Sequence, residues 1–137
     1  MIEPPALSEI QEAAVRLRGV VRHIPLIPLH GFEQRGDILL KPEIHQAVGS
    51  FKIRGVYHAV ASLAAGDRAK GLSTVSAGNT AQALAWTGRH FGVPTVSLMP
   101  DSAPSTKIDA VRAYGGQVRL VPMSEVFRFL KERLWER

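Results

Sequence analysis

Residues Leu72 to Pro100 read LSTVSAGNTAQALAWTGRHFGVPTVSLMP: a short β-rich run, a longer segment punctuated at its end by Gly92 and Pro94, and a second β-rich run. A glycine just past the last periodic residue, with proline soon after, is how helices stop. The stretch therefore predicts strand, helix, strand. Downstream, VPTVSLMP leads into a helix opened by Pro104 and closed by Gly115, and QVRLVP leads into a last helix. Strands alternating with helices of this length predict an α/β fold, a parallel sheet flanked by helices and joined by right-handed crossovers.

Upstream, the apolar residues Ile53, Val56, Val60 and Leu63 are spaced three, four and three apart, which predicts a helix from Phe51 to about Ala64 with one buried face and Ser50 as its cap. Further towards the N-terminus, SEIQEAAVRLRG begins with Ser8 as N-cap and Gln11 at capping-box spacing, and ends near Gly19. HIPLIPL must be extended around Pro25 and Pro28, and Ile38 to Lys41 reads as a short strand before the loop PEIHQAVG. The organisation changes near Val48. Residues 1–48 read as a helix and strand segment, and residues 49–137 as a compact α/β unit.

A chain of 137 residues can bury about two-thirds of its unfolded surface, so a sizeable core is within reach. Hydrophobic residues make up 45% of it, yet no apolar run approaches the roughly 20 residues needed to span a bilayer, and no membrane association is expected. Glu3 stands where a signal peptide would carry basic residues, and the start has no apolar centre, which predicts no targeting segment and a cytoplasmic location. Without cysteine there is no disulfide framework and no thiolate metal site. His23, His30, His45, His58 and His90 have no i, i+4 pairing, so no metal site is expected.

Seventeen Lys and Arg against 12 Asp and Glu give a net charge of +5, which raises nucleic acid as a partner. The basic residues are spread out, however, and those of EVFRFLKERLWER alternate with Glu125, Glu132 and Glu136, as on a solvated helix face. No nucleic-acid module pattern occurs, and no nucleic-acid partner is expected. An anionic small molecule suits the charge equally well. Neither G-x-G-x-x-G nor a P-loop is present to indicate a nucleotide.

In open α/β sheets, ligands collect where strands give way to helices and free backbone N–H groups point outward. Ser76-Ala77-Gly78-Asn79-Thr80 is such a loop. Gly78 permits a backbone shape that side chains would forbid, so that successive amides can converge on an anion, and Asn79 or Thr80 can add side-chain hydrogen bonds. The plainer reading has Gly78 only making the turn and Asn79 only capping the helix. The second candidate is Lys52, in GSFKIRG (Gly49 to Gly55), at a helix start. An ordinary lysine amine has a pKa of about 10.4, and a nucleophilic amine needs the neutral form. A helix N-terminus and a nearby cation such as Arg54 both favour that form. A surface lysine that happens to open a helix is the competing reading.

Lys41-Pro42-Glu43, GSFKIRG, SAGNTAQALAW and VPTVSLMPDSAPSTKIDAVRAYGGQV, in this order and spacing, resemble the fold-type II pyridoxal-phosphate enzymes, specifically the threonine/serine dehydratase and serine racemase group. The resemblance runs from about Ser8 to Val121. It implies that Lys52 holds pyridoxal 5'-phosphate as a Schiff base, that Phe51 lies against the pyridine ring and that Asn79 hydrogen-bonds the ring hydroxyl. It further implies that Ser76, Ala77, Gly78, Asn79 and Thr80 hold the substrate carboxylate. The activity so implied is a lyase reaction. The amino acid displaces Lys52, the freed amine removes the α-proton, the cofactor takes up the electron pair, and the β-hydroxyl of L-threonine or L-serine leaves, giving a 2-oxo acid and ammonia.

Three differences from the family pattern stand beside this resemblance. Many members have His at the position of Thr80, and the racemases place a serine where this chain has Ala77. The family's glycine-rich phosphate loop, and the Ser or Cys that contacts the pyridine nitrogen, lie downstream of anything in these 137 residues. The resemblance thus implies a partial chain, with residues 1–48 part of the family's large domain, residues 49–137 its small domain, and the remainder of the large domain absent. A non-catalytic α/β module with a structural or interaction role is the alternative. In either case exposed apolar surface is expected, and with it self-association as a homo-oligomer.

Overall fold

A computed structural model of the chain describes residues 3–31, 36 and 38–132; Glu136, expected on the solvated face of the last helix, lies outside them. Three strands, β3 (Leu72–Val75), β4 (Thr95–Pro100) and β5 (Gln117–Val121), form a parallel sheet in the order β3-β4-β5, with Leu72 opposite Thr95 and Val96 opposite Gln117. Helices α4 (Asn79–Phe91), α5 (Ser105–Ala113) and α6 (Met123–Glu132) follow the strands in turn. The α/β alternation is as the turn chemistry predicts. Gly92 closes α4 in the left-handed conformation, φ 66°, a shape that costs a residue without a Cβ little.

Helices α4 and α5 meet the sheet over a core of Ala81, Ala85, Met99, Ile108 and Val111, while α6 packs against β3 and β4. Alanine on the inner face of α4 lets the helix lie close to the sheet, and glycine brings it closer still. A Cβ on Gly88 would sit 2.2 Å from Thr95 Cγ2 and 2.9 Å from the Val93 carbonyl. Gly88 is therefore required by contact between helix and strand, in the middle of a helix where glycine otherwise costs about 1 kcal/mol.

Helix α2 (Lys52–Ser62) packs on α4 and buries Ile53, Tyr57 and Val60. Leu63, expected on the buried face, is 43% exposed because the chain leaves the helix there in an extended conformation; the unforeseen Tyr57 occupies the face in its place. The N-cap of α2 is Phe51, without a side-chain cap hydrogen bond, rather than the expected Ser50, which lies one residue earlier with its Oγ accepting the Lys52 N–H at 3.3 Å. A short helix α3 (Ala65–Ala69) then leads to β3.

Helix α1 (Leu7–Arg16) starts from Ala6 as N-cap, where the sequence suggests Ser8. The Glu9 carboxylate accepts the Ala6 N–H at 2.7 Å, the acidic half of a capping box placed where the helix dipole favours negative charge. Arg16 ties α1 to α2 by donating to Ser62 Oγ at 2.9 Å. Strands β1 (Ile27–Pro28) and β2 (Leu39–Leu40) pair antiparallel. Large apolar side chains remain exposed on α1 (Leu7, Ile10, Val15), on β1 and β2 (Ile27, Leu39, Leu40) and on α6 (Phe127, Leu130).

Candidate active site

Helices α2 and α4 run in the same sense. Ile53 clusters with Ala83 near their starts, and Tyr57 meets His90 and Phe91 further along both. Their N-termini consequently lie at one end of the pair. At that end α2 begins with Lys52 and α4 with Asn79, and the loop Ser76 to Gly78 leaves the carboxyl end of β3. The topology thus brings together the two candidates that the sequence holds 27 residues apart, counting from Lys52 to Asn79.

Within the loop, the Ser76 N–H donates to the Leu98 carbonyl at 3.1 Å, and Ser76 Oγ accepts the Gly78 N–H at 3.3 Å. Gly78 has φ −139° and ψ −147°, which is not a left-handed turn, and a Cβ there would meet no atom within 4 Å. Its negative φ does not call for glycine in the way a left-handed turn would. What glycine provides is open space beside the first-turn amides of α4, which have no carbonyl within the helix to donate to. Asn79 does not cap α4, because Gly78 is the N-cap; its exposed side chain makes no hydrogen bond among the described residues. Ala77 packs against the core under the loop, and Thr80 is half-buried.

Lys52 is exposed, with Nζ 5.2 Å from the centre of the Phe51 ring, itself 58% exposed. Arg54 does not act as the free cation expected beside this amine. Its guanidinium donates to Glu43 through Nε at 3.0 Å and Nη2 at 2.7 Å. The Arg54 hydrogen bonds hold the Glu43 carboxyl below the ordinary range against partial burial, and the pairing raises Arg54 in turn.

Glu43 is the site residue that reasoning about function from the sequence passed over, although it stands in the quoted Lys41-Pro42-Glu43. It belongs to a 3-10 turn, Glu43–His45, that is locked to the preceding segment. The Lys41 amine donates to the Ile24 carbonyl, and the buried Gln46 amide accepts the Arg22 N–H at 3.0 Å and donates to the Arg22 carbonyl at 2.8 Å. Gln46 in effect replaces a strand neighbour. From the other side, Tyr114 at the end of α5 donates to the Ala47 carbonyl at 3.1 Å. Among the described residues, no group of three or more His, Cys, Asp or Glu side chains could hold a metal ion, and no helix is long and apolar enough to cross a membrane.

An exposed primary amine, an exposed aromatic face beside it, and at the same end an uncommitted amide side chain and a helix N-terminus make a site for a carbonyl compound that carries an anionic group. The chain belongs to the family of pyridoxal-phosphate dependent enzymes, which it matches over residues 17–134. It is 39% identical over 130 residues to the biosynthetic L-threonine dehydratase of Salmonella typhimurium, covering 88% of this chain and 25% of that protein. It is 40% identical over 116 residues to the L-threonine ammonia-lyase of Thermotoga maritima, covering 83% of this chain and 29% of that protein. Maize serine racemase superposes with a TM-score of 0.83 at 29% identity, over 88% of this chain and 37% of that one. The chain spans only a minor part of each relative's length. The residues present fit the cofactor that gives the family its description: Lys52 offers the amine that its aldehyde requires, Phe51 a flat apolar face, and Asn79 a free hydrogen-bonding group.

Proposed function

We propose that this chain carries the lysine and carboxylate cradle of a pyridoxal-phosphate dependent lyase acting on L-threonine or L-serine in the cytoplasm: the β-hydroxyl leaves as water, water then hydrolyses the released enamine, and ammonia and a 2-oxo acid are formed. The observation that carries the reading is the common end shared by the Lys52 amine and the open first turn of α4. When bound, the cofactor supplies an electron sink for the pair left by loss of the α-proton. Lys52 anchors it covalently and afterwards takes the α-proton on Nζ. Phe51 would lie against its ring, and Asn79 would donate a hydrogen bond to the ring oxygen. The backbone from Ser76 to Thr80 binds the substrate carboxylate at the positive end of α4. In this reading residues 49–137 belong to the small domain of a longer enzyme and residues 1–48 to its large domain, and the exposed apolar side chains of α1 contribute to self-association.

Elimination is favoured over racemisation by Ala77. Racemisation needs a proton donor on the side of the substrate opposite the lysine, and a methyl group is none. Borohydride reduction of the chain with pyridoxal phosphate is expected to fix the cofactor on the peptide containing GSFKIRG, and Lys52→Ala to remove it. Labelling of Lys41 or Lys107 in its place overturns the assignment. In a chimera continuing this chain with the C-terminal part of the Thermotoga maritima enzyme, D-serine formed as fast as 2-oxo acid would refute the elimination reading.

A further inference from the structure

We infer that Glu43 is a positioning residue for Lys52: by gripping Arg54 it sets the rotation of the first turn of α2 and thereby the direction of the lysine amine. The inference rests on the reading that Lys52 bonds the cofactor. Consecutive helical residues point about 100° apart, so the directions of any two near neighbours determine the third. Ile53 is fully buried, in a cluster with Val48 and Ala83. An apolar contact is non-directional and by itself lets a helix start rock. The Arg54 fork on Glu43 is directional, because both hydrogen bonds must keep their geometry at once. With Ile53 held inward and Arg54 held towards Glu43, Lys52 is left pointing outward at the end where α4 begins.

The pair also spans the joint between the turn that bears Glu43 and α2. Between the 3-10 turn and α2 the chain passes through Gly49, φ 64°, where a Cβ would have only the Ile44 carbonyl near it, at 3.8 Å. The other side of the joint is firm. The Lys41 bond to Ile24, the two Gln46 bonds to the Arg22 backbone and the Arg22 Nη1 bond to the His45 carbonyl at 3.2 Å fix the turn that bears Glu43. Glu43 therefore transmits the position of that braced segment to the helix that opens with Lys52. Its contact is with Arg54, and it acts through that residue.

The test uses the full 137-residue chain, pyridoxal phosphate and borohydride. The Lys52 amine condenses with the aldehyde carbon and the carbonyl oxygen leaves as water; hydride then reduces the carbon–nitrogen double bond to a stable amine. Peptide mass spectrometry reads the Lys52 share of the label against Lys41, Lys70, Lys107 and Lys131 in the same molecules, which cancels differences in total labelling. Glu43→Gln is expected to lower the Lys52 share on the order of tenfold, and to speed hydrogen exchange in the first turn of α2 more than in the middle of α4. Arg54→Lys keeps the charge but loses the fork, and is expected to do the same. The exchanged pair Glu43→Arg with Arg54→Glu is expected to restore the share. If Glu43→Gln and Arg54→Lys lower the melting temperature but leave the Lys52 share unchanged, the pair is structural only and the inference is wrong. If the unaltered chain shows no preference for Lys52, the functional reading itself has failed, a different result from the first.

Discussion

The Glu43 carboxylate accepts two hydrogen bonds from Arg54, 2.7 Å from Nη2 and 3.0 Å from Nε, and joins the turn after β2 to the first turn of α2. Because these bonds depress the folded-state pKa below the ordinary glutamate value of 4.5, the carboxylate contributes stability that is complete above that value and is lost as pH falls through the lower, folded value. Urea unfolding followed from pH 7 down to pH 3 should show this loss in the parent chain. Glu43→Gln should be less stable at pH 7 by about 1 kcal/mol, since Arg54 is about one-third exposed and solvent weakens the pair. Its stability should also vary less below pH 5. Parallel pH profiles for the two proteins would contradict the assignment.

Tyr57 is buried between α2 and α4, edge-on to His90 and stacked on Phe91, with its hydroxyl 3.2 Å from His90 Nε2. The ring should matter more than the hydroxyl. Tyr57→Phe is expected to cost about 0.5–1.5 kcal/mol, one hydrogen bond. Tyr57→Ala is expected to cost about 3–5 kcal/mol, and to loosen the alignment of the two helix starts. Equal losses in the two variants, measured by denaturant unfolding, would mean that the hydrogen bond carries the contact.

Gly88 and Gly78 should respond oppositely to the same substitution. Gly88→Ala gains about 1 kcal/mol of helix propensity but drives a methyl into Thr95 and the Val93 carbonyl, an overpacking cost of about 1–3 kcal/mol that includes backbone movement. A net loss in melting temperature is expected. Gly78→Ala places its methyl in open space at a φ outside the left-handed region, so stability should hold within about 0.5 kcal/mol. Its effect should appear in weaker protection of the cradle by a bound carboxylate, read by hydrogen exchange at Asn79 and Thr80 with and without L-serine. A destabilised Gly78→Ala would show that the loop is packed more tightly than its open side suggests.

Phe51 is 58% exposed and contributes little to the core. Phe51→Ala should leave unfolding stability nearly unchanged while weakening retention of pyridoxal phosphate by about 0.5–1.5 kcal/mol, the worth of one aromatic stacking contact. Absorbance of the bound cofactor during dialysis reads this loss. A large drop in stability with cofactor retention intact would assign Phe51 to packing.

Much of this arrangement is legible in local chemistry. Gly92 after the last turn of α4, Pro104 before α5 and the spacing of Ile53 and Val60 each act within a few residues, so they mark helix ends and faces wherever the rest of the chain lies. The motifs GSFKIRG and SAGNTAQALAW likewise carry the family resemblance without coordinates. Where local signals compete, the sequence alone misleads. Ala6 with Glu9 displaces Ser8 with Gln11 as the start of α1, and Tyr57 takes the buried position expected of Leu63 once the chain has left the helix.

The sequence by itself determined the alternation of the longer helices with the strands of the parallel sheet, though not the short α3, and the two candidate sites, because hydrophobic period and turn residues are properties of neighbouring positions. Only the tertiary structure decided that α2 and α4 run side by side in one sense, so that Lys52 and Asn79 share an end. It alone turned Arg54 towards Glu43, and it alone made Gly88 a contact point with Thr95 and Gly78 an opening. Each of these depends on a partner that the fold, and not the chain order, brings near. A charge has the same sequence neighbours whether its counter-ion is at hand or not, and a missing Cβ means opposite things against a strand and against solvent.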